Sequence, residues 1–133
     1  MGTNTLEEKM LEKAQREVVG SAEWLTAQVI LQRYQVDPEI WLIKKHIFAI
    51  DYDGKILFPS YALNPQSGYC PQSTLGEIIN LFETHGRNAW GIAFWFSSLC
   101  GFLGGRRPQD LLITDSVLVL AAAQDEVTGI SHG

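Results

Sequence analysis

Two arginines follow a pair of glycines in the segment Gly104-Gly105-Arg106-Arg107-Pro108. Glycine lets a backbone turn tightly, and Pro108 fits the first position of a helix. Backbone amides at a helix N-terminus, together with guanidinium groups, could hold an anion. The segment lacks the Lys-Ser/Thr pair of a P-loop and the glycine spacing of a dinucleotide-binding fold. The spacing alone therefore favours the simpler interpretation, which is a turn between two helices with solvated arginines.

A second group of cations, Lys44, Lys45, His46 and Lys55, falls within a predicted helix and hairpin. Two helices, a tight turn and a hairpin form the layout of a winged helix-turn-helix, in which the helix 38–46 would be the recognition element facing phosphates. The acidic residues interleaved with these cations are Asp37, Glu39, Asp51 and Asp53. Each of them cancels a phosphate-seeking charge. A DNA-binding helix-turn-helix and a degenerate one kept as a structural or dimerising module both stay open.

The histidines and cysteines indicate neither a catalytic centre nor a metal site. His46, His85 and His132 are scattered, and Cys70 lies far from Cys100 in the sequence. Their spacing matches neither a zinc site nor a disulfide-rich scaffold. No nucleophile, base and orienting group follow one another at a useful spacing. We therefore expect reduced thiols, no enzyme activity, no cofactor and no bound metal.

The composition predicts a small soluble protein with a core. The chain has 133 residues, of which 46% are hydrophobic, which fits one compact domain or two small subdomains. Its net charge of −5 excludes a generic nucleic-acid binder, because phosphate affinity needs clustered cations. The charged N-terminus does not resemble a signal peptide, and the longest apolar stretch, 90–103, is too short to span a bilayer. We expect a cytoplasmic protein without membrane contact.

Three segments are predicted: an N-terminal helix in 1–20, a helix-turn-helix with a β-hairpin in 21–66, and a helical bundle in 67–133. The predicted helices cover 5–19, 26–35, 38–46, 75–84, 89–99, 108–112 and 116–126. Thr26, Asp37 and Asn88 are suited to cap three of them. An Asp-Gly turn between two short apolar runs predicts the hairpin. The expected fold class is mainly α, in an α+β arrangement.

The C-terminal half carries several linked features in a fixed order. A tryptophan-bearing helix, a Leu-Gly-Gly-Arg turn, a proline, a Leu-Leu helix and an Ala-rich helix appear in NAWGIAFWFSSLCGFLGGRRPQDLLITDSVLVLAAA. This order resembles the toxin-binding domain of antitoxins of the MbcA/ParS/Xre type, over residues 74–127. The front half looks like a variant of that family, with a short helix-turn-helix and hairpin in place of the four-helix Xre-like front.

The resemblance implies a partner and a contact. The partner would be a RES-type toxin, an enzyme that consumes NAD, and the antitoxin would cover its active-site cleft. By this resemblance Gly104, Gly105, Arg106, Arg107 and Pro108 lie at or near the toxin-binding contact, and either arginine could face the toxin.

Two alternatives stand beside the antitoxin interpretation. The first is a DNA-binding transcriptional regulator that uses Lys44, Lys45, His46 and Lys55. The second is an oligomeric interaction scaffold without a toxin. The apolar helices 89–99 and 116–123 hold more hydrophobic surface than so small a body easily buries. We therefore expect a homodimer or a larger oligomer.

Overall fold

A computed structural model describes residues 5–131, and the side chains of that range up to residue 129. The helices are α1 Leu6–Gly20, α2 Ala27–Tyr34, α3 Pro38–Ile43, α4 Ser73–Thr84, α5 Ala89–Ser97, α6 Pro108–Leu111 and α7 Ser116–Ser131. The strands are β1 Trp24–Leu25, β2 Ile50–Tyr52 and β3 Lys55–Pro59. The mainly helical α+β class is confirmed, whereas the arrangement of α2 and α3 as a helix-turn-helix stays a prediction.

Side-chain caps fix the starts of four helices: Thr5 caps α1, and the other three are the predicted caps. The side-chain oxygens of Thr26, Asp37 and Asn88 each accept a hydrogen bond from an amide in the first turn of α2, α3 and α5. Each bond satisfies a donor that the helix itself leaves unpaired. Helix α4 starts earlier than predicted, at Ser73, and Gln72 before it makes no side-chain cap bond. Residues suited to capping therefore marked most helix starts correctly, but not this one.

The predicted hairpin is present, and it belongs to a three-stranded antiparallel sheet with the order β1-β3-β2. Asp53 and Gly54 have φ values of 53° and 75° and form the two-residue turn that the twist of a hairpin prefers. Strand β1 pairs with the other edge of β3, with Leu25 opposite Phe58. The sequence analysis missed β1, because two residues are too few to show a periodic pattern.

One continuous core joins residues from all three predicted segments. It includes Val18 of α1, Phe48 beside the sheet and Phe96 of α5. The Phe96 ring lies 5.8 Å from that of Phe48 and 5.4 Å from that of Tyr61, measured between ring centroids. Burial raises the pKa of the Tyr61 phenol well above its usual value, so it stays protonated. The aromatic cluster around Phe96 thereby ties the small sheet to the C-terminal helices.

The two apolar helices bury most of their hydrophobic surface within this single chain. The buried residues of α5 and α7 are Ile92, Ala93, Trp95, Phe96, Val119, Ala122, Ala123 and Val127. They pack against α4 and the sheet, whereas Phe94, Val117 and Leu118 of the same helices stay exposed. The homodimer stays a prediction. Within residues 5–131, no helix combines the length and apolarity needed to cross a membrane.

Candidate functional site

A closed loop between α5 and α6 carries the Gly-Gly-Arg-Arg motif, and we call residues 99–107 the arginine loop. The Cys100 amide donates a hydrogen bond to the Arg106 carbonyl over 3.0 Å, and the two residues form an isolated antiparallel bridge. The Gly105 amide returns to the Cys100 carbonyl over 2.9 Å. Leu103 is buried and holds the loop against the core. The loop is therefore a defined structure with several internal hydrogen bonds.

Both glycines of the motif adopt backbone conformations that other residues avoid. Gly104 has φ 68° and Gly105 has φ 85°, in the left-handed region. A Cβ atom at either position would meet no neighbouring atom within 4 Å. Backbone conformation, rather than a close neighbour, therefore requires glycine here. The open space also places both residues on the free surface of the molecule.

The two arginines of the motif have different surroundings. Arg107 donates from Nε to Oδ2 of Asp110 over 3.0 Å and from Nη2 to Oδ1 over 3.3 Å, which is a two-pronged ion pair. It thereby ties the loop to the first turn of α6. Arg106 is exposed, and no carboxylate in the described part of the chain pairs with it. Arg106 is therefore the arginine available to a partner.

The far side of the loop is fixed by α6. Pro108 and Gln109 are buried, and the Gln109 side chain donates from Nε2 to the Ser21 carbonyl over 2.8 Å. This bond connects α6 to the segment after α1. Pro108, predicted at the contact, is therefore buried beneath the loop and supports its conformation. Gly104, Gly105 and Arg106 form the outer surface of the loop.

Two apolar side chains of the arginine loop were not assigned from the sequence. Leu99 is 77% exposed and Phe102 is 48% exposed. The sequence analysis placed Leu99 at the end of the apolar helix 89–99, but α5 ends at Ser97. The 3₁₀ turn Gly101–Leu103 then directs Leu103 inwards and leaves Phe102 outside. No residue pattern in this stretch distinguished the outward-facing side chains.

The predicted recognition helix is shorter than expected, and its cations follow it. Helix α3 ends at Ile43, and Lys45 takes a left-handed φ of 60°. The His46 amide reaches the Trp41 carbonyl over 2.8 Å, and the Lys45 amide reaches the Leu42 carbonyl, as in a Schellman motif. The prediction of a helix over 38–46 was therefore wrong, because a compact C-terminal cap intervenes.

Three of the four predicted DNA-binding residues lie together. Lys44, Lys45 and His46 are exposed and line a depression of about 650 Å³ beside the first turns of α4. Lys45 is partly neutralised, since its Nζ lies 2.7 Å from Oε1 of Glu83. Lys55 belongs to the hairpin, whose tip lines a different depression with residues of α1. The structure thus groups three cations and leaves Lys55 apart from them.

Within residues 5–131, no group of three or more His, Cys, Asp or Glu side chains is placed to hold a metal ion. His85 is the C-cap residue of α4, and its Nδ1 lies 2.9 Å from the Leu81 carbonyl of that helix. Cys70 and Cys100 are free thiols, and His132 lies outside the described residues. The arginine loop is therefore the feature of the described chain that best fits a binding site.

The glycines of the arginine loop permit a direct test of its conformation. We expect Gly104→Ala to lower the free energy of unfolding by about 1–2 kcal/mol, because alanine is strained in the left-handed region. Gly101→Ala is the matched control, since it lies in the same loop in open space and without a positive φ. Urea unfolding of the three proteins measures the difference. An equal loss of stability in both variants would contradict the assigned backbone conformation.

Comparisons with known proteins found no relative of this chain. No protein-family model, curated protein or solved structure matches the chain. The functional interpretation therefore depends on the geometry of the loop and on the order of motifs around it.

Proposed function

We propose that this chain is a non-enzymatic, cytoplasmic antitoxin that binds a RES-type, NAD-consuming toxin and neutralises it by covering its active-site cleft. The observation that carries the proposal is the arginine loop, which presents Arg106 with no carboxylate partner among the described residues. The loop lies within the segment whose motif order resembles the toxin-binding domain. A structured loop that offers an unpaired cation is suited to enter a cleft of another protein.

The physical case for this contact depends on preorganisation. The loop is closed by the bridge between Cys100 and Arg106, and the ion pair between Arg107 and Asp110 holds its end. Such a loop loses little backbone freedom when a partner binds it, which lowers the entropic cost of association. Arginine is also enriched among the residues that dominate interface energetics, and its planar guanidinium matches a carboxylate.

The proposal is tested with the product of the adjacent reading frame. We expect that frame to encode a RES-like enzyme that co-purifies with this chain, and we expect NAD consumption by the purified enzyme to fall as this chain is added. The measurement is NAD remaining over time, with and without the chain. The idea fails if the neighbouring frame encodes no such enzyme, or if excess chain leaves the enzyme fully active.

A second candidate function is DNA binding, favoured by the adjacent and exposed side chains of Lys44, Lys45 and His46. Phosphate contacts strengthen as salt is lowered, so a shift assay on the promoter of the chain's own gene would be run at low and high salt. Binding that Lys44→Glu weakens at low salt would support this function. No shift at low salt would exclude it. The antitoxin and DNA-binding functions are compatible in one protein.

A further inference from the structure

We infer that Leu99 and Phe102 anchor the same partner contact, as apolar side chains flanking Arg106. This inference depends on the proposed toxin-binding function and adds the residues that would supply apolar contact. It also defines the partner surface as an acidic group set within an apolar rim.

Leu99 and Phe102 are two of the exposed large apolar side chains of the described chain, and both belong to the arginine loop. Phe96, in the helix just before the loop, is fully buried, whereas Phe102 is 48% exposed. Leu103 is buried while its neighbour Phe102 is not. Exposed apolar residues are common, and close pairs of them also occur in α1, α3 and α7. The pair Leu99 and Phe102 differs in sharing a loop with the exposed Arg106. They are candidates for the buried centre of an interface.

The loop geometry keeps them near Arg106. Cys100 lies opposite Arg106 in the bridge, where Cα atoms of antiparallel partners are about 5 Å apart. Leu99 is the next residue along the chain, and consecutive Cα atoms are about 3.8 Å apart. Phe102 lies within the turn that the bridge closes. Arg106 and the two apolar residues therefore belong to a single small loop, and all three side chains are exposed.

Charge distinguishes between possible partners. A nucleic acid would need several cations, but Arg107 is already occupied by Asp110. A second copy that met this loop around a two-fold axis would bring one Arg106 towards another. A cleft with an acidic group and an apolar rim would instead pair with the cation and cover both apolar side chains. The loop is therefore best suited to a different protein with such a cleft.

The test uses the full chain and the purified RES-type enzyme. We expect Leu99→Ser and Phe102→Ser each to weaken binding by about tenfold or more, since truncating an interface anchor typically costs at least that much. Val117→Ser and Ile43→Ser are matched controls, because these side chains are 77% and 81% exposed but lie on α7 and α3. Both controls should bind like the unaltered chain. Binding is measured by titration calorimetry, and circular dichroism confirms that each variant is folded.

The outcomes separate this inference from the function on which it depends. If the unaltered chain does not bind the enzyme, both ideas fail. If it binds and the loop variants bind equally well, only the anchor assignment fails. If the loop variants convert an oligomer to monomers and leave enzyme binding unchanged, the surface is a self-contact and the anchor assignment fails. Leu99→Gln, which keeps a side chain of similar size, replaces Leu99→Ser if the serine variant folds poorly.

Discussion

If the proposed RES-type toxin is the partner, Arg106→Glu should weaken its binding by about 100-fold or more, and NAD consumption should persist in the presence of this variant. The substitution removes a cation from the contact and places a carboxylate against the acidic group of the partner. Losing one side of a desolvated charge pair costs about 2–5 kcal/mol, which corresponds to roughly 30- to 5000-fold in affinity. Arg106 is exposed and unpaired within the described chain, so the free energy of unfolding should change little.

Arg107 should behave differently, because its role is to hold the loop in place. Arg107→Ala removes the pair with Asp110, and Asp110→Ala removes the same pair from the other side. We expect both variants to reduce affinity by a similar, few-fold factor, and to lower stability by less than about 1 kcal/mol, since the pair is partly exposed. Arg16→Glu is the control for overall charge, because it makes the same charge change as Arg106→Glu at an exposed position of α1.

Calorimetry and NAD consumption, measured on all four variants, test the division of roles. A larger loss with Arg107→Ala than with Arg106→Glu would reverse the assignment of the two arginines. An equal loss with Arg16→Glu would show that net charge, rather than the loop, governs binding.

Local chemistry made much of the fold predictable. Cap residues such as Thr26 and Asn88 fixed helix starts, and Asp53-Gly54 fixed the hairpin turn, because each has a specific backbone preference. Strand β1 was missed because its two residues show no periodic pattern, and its pairing partner β3 is distant in sequence. The end of α3 was missed because Lys45, rather than a glycine, adopts the left-handed conformation of the cap. Tertiary context decided both cases.

The candidate site was predictable only in outline. Spacing alone treated Arg106 and Arg107 as equivalent, and the structure distinguishes them through Asp110, which follows Arg107 by three positions. That spacing was visible in the sequence, but it mattered only once the loop was known to run directly into α6. The exposure of Leu99 and Phe102 depends on where α5 ends, and element boundaries are the least certain feature of a sequence.

Phe96→Ala should produce the largest loss of stability in this chain, about 3–5 kcal/mol. The Phe96 side chain is fully buried, and its ring contacts Phe48, Tyr61 and Trp95. Its removal leaves a cavity between the sheet and the C-terminal helices, so both parts should lose stability together. Since small domains are stable by only about 5–15 kcal/mol, such a loss is a large share of the total.

Phe94→Ala is the matched control, because Phe94 lies in the same helix and is 49% exposed. It should cost no more than about 1 kcal/mol, consistent with partial burial. Urea unfolding gives the free energies, and hydrogen exchange gives the protection of amides in β3 and α7. For Phe96→Ala, protection should fall in both elements by the same amount, because one core stabilises both. Loss of protection in α7 alone would show that the sheet and the C-terminal helices unfold independently, and that the shared aromatic cluster does not couple them.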